Sequence, residues 1–211
     1  SPAVHVAGAC NAVRREARGL LVGEQFDGAG FVRGIQRKGF DVRGCTALVV
    51  GAGGVGCAIA ASLAGAGVGA LRLIDENAAL AEQLRERLAL HYPAIQVSTG
   101  SRDPRGCDLV VNATPLGMND GDPLPFDVSL LSASTFVGEV VMRREVTPLL
   151  AAAQARGCRV QVGTDMLFEQ IPAYLEFFGF PSTTPQALRA TARLPADSGS
   201  CPCSGRRRCF E

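Results

Sequence analysis

No stretch of this 211-residue chain approaches the roughly 20 apolar residues that a bilayer-spanning helix requires. The opening residues Ser1-Pro2-Ala3-Val4-His5 carry neither the charged nor the apolar region of a secretory signal, and a cytoplasmic protein is expected. An excess of charge of one sign is also missing. Lysine and arginine together number 21 against 20 acids, interspersed along the chain, for a net charge of +1. That balance leaves no electrostatic footprint for nucleic acid or an anionic membrane surface over the body of the chain. Lysine is almost absent, Lys38 being the only one, and there is no internal repeat.

Cysteine is plentiful but not arranged as a disulfide framework. Of the eight, Cys10, Cys45, Cys57, Cys107 and Cys158 stand at apolar or strand-edge positions, where a free thiol behaves as a small buried hydrophobe. Cys201, Cys203 and Cys209 fall in a tail from 195 to 211 rich in Gly, Ser and arginine, expected to be disordered. Their spacing matches no paired Cys-x-x-Cys metal pattern and no fourth ligand stands nearby, so no metal site is expected. The triplet Arg206-Arg207-Arg208 reads as solvated charge.

What the chain does contain is core material, 47% hydrophobic residues, enough for one large domain or one domain with appendages. Its most informative stretch is Thr46-Ala-Leu-Val-Val-Gly51-Ala-Gly53-Gly54-Val55-Gly56, an apolar β-type run passing directly into Gly-x-Gly-x-x-Gly and then a helical pattern. Such a turn binds a dinucleotide: Gly51 allows the tight bend, Gly53 lets a pyrophosphate approach the backbone, and Gly56 lets helix and strand pack closely. The following helix N-terminus then faces the phosphates with unpaired N–H groups. A second apolar run, 70–74, ends in Asp75, an acid at the spacing that ribose recognition uses.

Beyond residue 41, apolar runs at 46–50, 70–74, 95–98, 108–112, 135–141 and 159–162 alternate with helical patterns at 55–66, 77–90 and 145–156. This alternation predicts a Rossmann-type, doubly wound parallel sheet in the α/β class. Loops after the strands should gather along one edge, bringing Gly51–Gly56, Asp75 and Asn112–Met118 together. Two further helices are expected at 165–178 and 185–192. Before residue 41, short runs at Ala12-Val13 and Leu20-Leu21-Val22 precede a Phe31, Val32, Ile35 helical stripe that ends at Gly39.

Six short motifs then occur in a telling order: Cys10-Asn11-Ala12-Val13, Phe26-Asp27-Gly28-x-Gly30-Phe31, Gly51-Ala-Gly-Gly54, Val111-Asn112-Ala-Thr114-Pro115-Leu-Gly117-Met118, Thr147-Pro148-Leu-Leu and Met166-Leu-x-x-Gln170. From about residue 8 to 180 the chain resembles shikimate dehydrogenases, which reduce 3-dehydroshikimate to shikimate with a nicotinamide cofactor held between a substrate domain and a dinucleotide domain. The resemblance implies that residues 1–40 are the remnant of that second, substrate-binding domain, that 41–194 form the dinucleotide domain, and that most of the substrate domain is missing. It implies Asp27 as the catalytic carboxylate, Asn11 and Gln170 as amides for substrate hydroxyls, and Asn112, Thr114 and Met118 as part of the loop beside the nicotinamide. Taken alone, an Asp before Gly is a turn former.

Departures from the pattern shape the expectation. The family's catalytic lysine belongs to the missing segment, and Lys38, at a helix end, is expected to face solvent rather than replace it. Where members using NADP carry Asn-Arg-Thr or Asn-Arg-Ser, this chain has Asp75-Glu76-Asn77, two acids that oppose a 2′-phosphate, so NAD is expected over NADP. Phe26 and Met142 stand where Thr and Tyr are common, replacing hydrogen-bonding groups with apolar ones, which opens the substrate to quinate or another cyclic hydroxy acid. The expected partner is that small molecule, with neither nucleic acid nor membrane, and a homodimer is left open. The competing reading is a non-catalytic NAD-binding sensor, which needs none of Asn11, Asp27 and Gln170.

Overall fold

The computed structural model describes residues 1–192, and the tail with Cys201, Cys203, Cys209 and the arginine triplet lies outside them. At its centre is β3 (Thr46–Val50), an aliphatic strand buried along nearly its whole length, as a central parallel strand must be. It pairs in parallel with β4 (Ala70–Ile74) on one side and β6 (Leu109–Asn112) on the other, so that Val50 lies between Ile74 and Asn112. With β5 (Gln96–Thr99), β7 (Phe136–Glu139) and β8 (Arg159–Gln161), the sheet has six parallel strands in the order β5-β4-β3-β6-β7-β8. Strand order reverses between β3 and β6, and in doubly wound sheets ligands bind at such a switch, outside the carboxyl ends.

Alternation along the strands divides the core into two layers. Ala47, Val49, Leu109, Val111 and Phe136 join one cluster with the helices on that face, while Leu48, Val50, Val110 and Val137 join the other with Leu149, Leu150 and Ala153. Each fully buried large side chain contributes about 1.5–3 kcal/mol of transfer free energy. The first face is covered by α2 (Asp27–Arg37), α3 (Gly54–Gly65), α4 (Ala78–His91) and α6 (Gly163–Phe177), the second by α5 (Pro148–Ala155), and α7 (Pro185–Thr191) packs on α6.

These elements match the expected spans to within a few residues. The largest shift is at α5, which starts three residues late because Thr147 accepts a hydrogen bond from Leu150 N at 3.3 Å and Pro148 occupies the first turn. A short N-terminal helix, α1 (Pro2–Ala7), was not legible as periodicity; it packs on α3 and α4, with Arg87 donating to Val6 O at 2.6 Å. Between α1 and α2, β1 (Ala12–Arg15) and β2 (Leu21–Glu24) form a two-stranded antiparallel ribbon. Cys10 corrects one expectation: it is exposed, because it sits in the turn entering this thin ribbon, whereas Cys45, Cys57, Cys107 and Cys158 are buried.

Candidate active site

The glycines after β3 separate into two kinds. Gly51 has φ +104°, and a Cβ there would sit 2.8 Å from the Ala113 carbonyl oxygen, while a Cβ on Gly56 would come within 2.0 Å of the Gly51 carbonyl oxygen. Only glycine fits either place. Gly53 and Gly54 are exposed, and a Cβ on either would meet nothing within 4 Å. They leave backbone bare where no part of this chain needs the space, a cradle suited to a pyrophosphate.

Asp75, at the end of β4, turns toward the same bend. Its Oδ2 accepts from Ala52 N at 2.7 Å and its Oδ1 from Asn77 N at 2.9 Å, so both oxygens are fixed by backbone. A cavity of about 320 Å³ opens here, lined by Gly51, Gly53, Asp75, Glu76, Arg102 and Thr114 among others. The expected convergence of loops at the switch point is therefore present. Arg102 was not anticipated; its guanidinium lies 3.8 Å from Glu76.

Beyond β6, Asn112 is fully buried and its side chain holds the loop that follows. Its Oδ1 accepts from Thr114 N at 3.1 Å and from Thr114 Oγ1 at 2.6 Å, and its Nδ2 donates to Leu116 O at 3.0 Å. Asp122 accepts from Gly117 N and Asn119 N, fixing the far end. Met118 is exposed and, with Gly53, Gly54, Val55, Thr114 and Val141, lines a depression continuous in sequence with the cavity. Behind this loop, Glu139 at the end of β7 is completely buried and accepts from Thr147 Oγ1 at 2.9 Å. Burial pushes its carboxyl up to about 7, against opposing hydrogen bonds from Thr147 and Asn112.

A second polar cluster forms around Asp27, the first residue of α2. Burial raises its carboxyl, and hydrogen bonds from the side chains of Asn11 and Gln170 oppose that rise. Asn11 Oδ1 in turn accepts from Phe26 N at 3.0 Å, and Gln25 Oε1 from Asp27 N at 3.0 Å. Gln170 is buried and its Oε1 has no partner, an acceptor left over for something else. Tyr174, one turn beyond Gln170 on α6, joins the cluster; burial and then the Asp27 charge raise its phenol. Its i+4 spacing from Gln170 on a helix already expected at 165–178 was the signal that could have found it. Phe26 stacks edge-on against Tyr174 at 4.9 Å and Phe177 at 5.6 Å, the apolar wall that replaces the more common threonine.

Glycines also join the two clusters. A Cβ on Gly28 would lie 2.0 Å from the Ala58 carbonyl oxygen of α3, and one on Gly30 would lie 2.7 Å from the Met166 carbonyl oxygen of α6. Backbone thus meets backbone where the Asp27 helix rests on the dinucleotide unit. Lys38 is exposed at the C-terminal end of α2, as expected, but its ammonium also pairs with buried Asp165 at 2.8 Å and donates to Val160 O at 3.1 Å, because α6 begins beside the end of α2. Arg189 holds the other oxygen of Asp165 at 2.7 Å. Among the described residues no group of three or more potential metal ligands occurs.

Comparison with known proteins bears on this geometry. A model of the ThiF family matches residues 34–84, the span containing β3, α3 and β4. The chain is 39% identical to shikimate dehydrogenase (NADP(+)) of Rubrobacter xylanophilus over 80% of its own length and 61% of that protein, and 37% identical to the corresponding protein of Rhodospirillum rubrum over 87% and 67%. The structure of quinate dehydrogenase from Corynebacterium glutamicum in complex with NAD superimposes with a TM-score of 0.80 at 32% identity, covering 90% of this chain and 70% of that one. The chain belongs to the shikimate dehydrogenase family. It spans about three fifths to two thirds of the length of the two curated relatives. Family membership accounts for the order in which the motif residues appear, and the structure adds that two separate clusters, one around Asp27 and one around Gly53 and Asp75, flank the same helix α3.

Proposed function

We propose that this chain provides the cofactor site and one wall of the substrate cleft of an NAD-dependent dehydrogenase acting on a cyclic hydroxy acid, shikimate or quinate. The observation that carries this reading is the joining of three polar groups distant in sequence, Asn11, Asp27 and Gln170, around one partly buried carboxylate on a helix packed directly against α3. Cofactor binding alone calls for none of the three. Residues 1–40 supply the substrate-facing wall and residues 41 onward the dinucleotide unit. A cytoplasmic setting suits both ligands.

In this reading Gly51, Gly53, Gly54, Val55 and Gly56 form the bend that takes the pyrophosphate, and Asp75 accepts hydrogen bonds from ribose hydroxyls. Asn112 and Thr114 shape the loop and Met118 covers the nicotinamide end. The bound nicotinamide supplies or takes the hydride. Asp27 removes the proton from the substrate hydroxyl during oxidation and returns it in the reverse direction, a task that its raised carboxyl suits. Asn11 and the unpartnered Gln170 Oε1 orient the ring hydroxyls, since an amide both donates and accepts. Lys38, engaged by Asp165, takes no part.

NAD is favoured over NADP by charge. A phosphate about 4 Å from a carboxylate meets a repulsion of about 4 kcal/mol at an effective dielectric of 20, which exposure reduces to about 1–2 kcal/mol. Asp75 and Glu76 present two such charges, and Arg102 beside Glu76 offsets one. The experiment is reduction of NAD with shikimate and with quinate, by the wild type and by Asp27→Asn. Turnover by the wild type, lost on the order of a hundredfold or more in the variant, supports the assignment. NADH binding without oxidation of either acid would favour a sensor instead.

A further inference from the structure

Glu139 is a buried carboxyl in a place where the reaction needs no charge. It closes β7, paired in register with Asn112 at the end of β6, and Val140 N donates to Asn112 O at 3.3 Å. Through these strands it sits beneath the start of the Asn112–Met118 loop. Its Oε2 takes the hydroxyl of Thr147, itself fully buried, and Thr147 packs against the other end of the loop, where a Cβ on Gly117 would touch the Thr147 Cβ and Cγ2 at 3.6 Å. The carboxyl thus meets the start of the loop through the Asn112 side chain and its far end through Thr147. Its Oε1 is buried without a partner.

Resting on the dinucleotide reading above, we propose that Glu139 is a positioning residue for NAD: as a neutral acid it holds the Asn112–Met118 loop in its binding shape, and on ionising it releases that loop. A charge at Oε1 would have no cation to meet. The neighbouring polar side chains on its face of the sheet are the neutral Asn112 of β6 and Thr147 at the cap of α5, while Gln161 of β8 turns to the other face and donates to Phe31 O. In the 140–147 segment, Arg143 pairs with Asn119, Arg144 with Asp120, and Glu145 is exposed. Asp165 of α6 is engaged by Lys38 and Arg189. The rise of the carboxyl to about 7 comes from burial and is opposed only by neutral hydrogen bonds, so the ionisation falls near neutrality. NAD affinity should accordingly decline as pH rises through that value.

The test is calorimetric titration of NADH into the full chain between about pH 6 and about pH 8.5, with Glu139→Gln and Thr147→Val alongside. Wild-type affinity should fall on the order of tenfold across the range, the size of a modest coupling between two sites. Glu139→Gln should keep the low-pH affinity throughout. Thr147→Val removes a hydrogen bond that favours the charged form, so its midpoint should move upward. A background Asp27→Asn should retain the wild-type slope. Flat wild-type affinity, an unchanged slope in Glu139→Gln, or an unmoved midpoint in Thr147→Val would each overturn the assignment. Failure of NADH to bind at any pH would instead bring down the dinucleotide reading on which it rests.

Discussion

Exchanging each of two glycines of the β3–α3 bend for alanine separates architecture from ligand binding. At Gly56 the added Cβ would fall 2.0 Å from the Gly51 carbonyl oxygen and 2.8 Å from its carbon. Relief to a normal contact of ~3.5 Å requires a displacement of roughly 1.5 Å between strand and helix. The obstacle is backbone, so the upper end of the overpacking range applies, about 3 kcal/mol. In a chain of this size that lowers Tm by roughly 6–12 °C. At Gly53 a Cβ meets nothing, and the residue has φ −73° and ψ −171°, open to any amino acid. Gly53→Ala should leave Tm within about 2–4 °C of wild type, since helix-start preference and the stiffer unfolded chain largely cancel. The methyl would, however, occupy the space assigned to the pyrophosphate, and NADH affinity should fall tenfold or more, about 1.4 kcal/mol. Scanning calorimetry and NADH titration on the two variants give four numbers. Gly53→Ala with wild-type affinity, or with a Tm loss equal to that of Gly56→Ala, would refute the division between the two glycines.

Further outcomes follow from the same geometry. Gly28→Ala forces a Cβ to 2.0 Å from the Ala58 carbonyl oxygen, so Tm and kcat should fall together as α2 is pushed off α3; unchanged values of both would show the helices are not locked there. Asp75→Asn should raise NADP affinity relative to NAD roughly tenfold, and an unaltered ratio of the two dissociation constants would remove Asp75 from cofactor choice. Because burial raises the Glu139 carboxyl from 4.5 to about 7, the folded chain keeps a proton that the unfolded chain gives up earlier. Its contribution is intact below about pH 4.5 and lost as pH rises toward 7, a decline of about 3 kcal/mol. Urea unfolding across that window should show the decline in the wild type and its absence in Glu139→Gln; parallel curves would contradict it.

The dinucleotide unit was legible because its signals are local. A run of Leu and Val followed by three spaced glycines changes period from 2 to 3.6 within a few residues, and Asp75 stands at the end of the next such run. Asn11, Asp27 and Gln170 were legible only through the order of motifs, since nothing in their neighbourhoods shows that loops 11 and 26 meet the second turn of α6. What escaped the sequence depends on tertiary contact. Lys38 resembles an ordinary helix-ending cation until Asp165 arrives from α6, and Arg102 lies in a loop without periodicity. Glu139 looks like the polar end of a strand, whereas burial between β6 and α5 changes its chemistry.

The close approach of α2 to both α3 and α6 also constrains motion. Main chain rests on main chain at Gly28 and Gly30, with only the short Ser62 hydroxyl and the Gln170 Cβ beside those contacts, which leaves little room there for sliding or rotation. The Asp27 carboxylate is therefore anchored to the sheet-bearing body, and its place relative to the β3–α3 bend is set by main-chain packing.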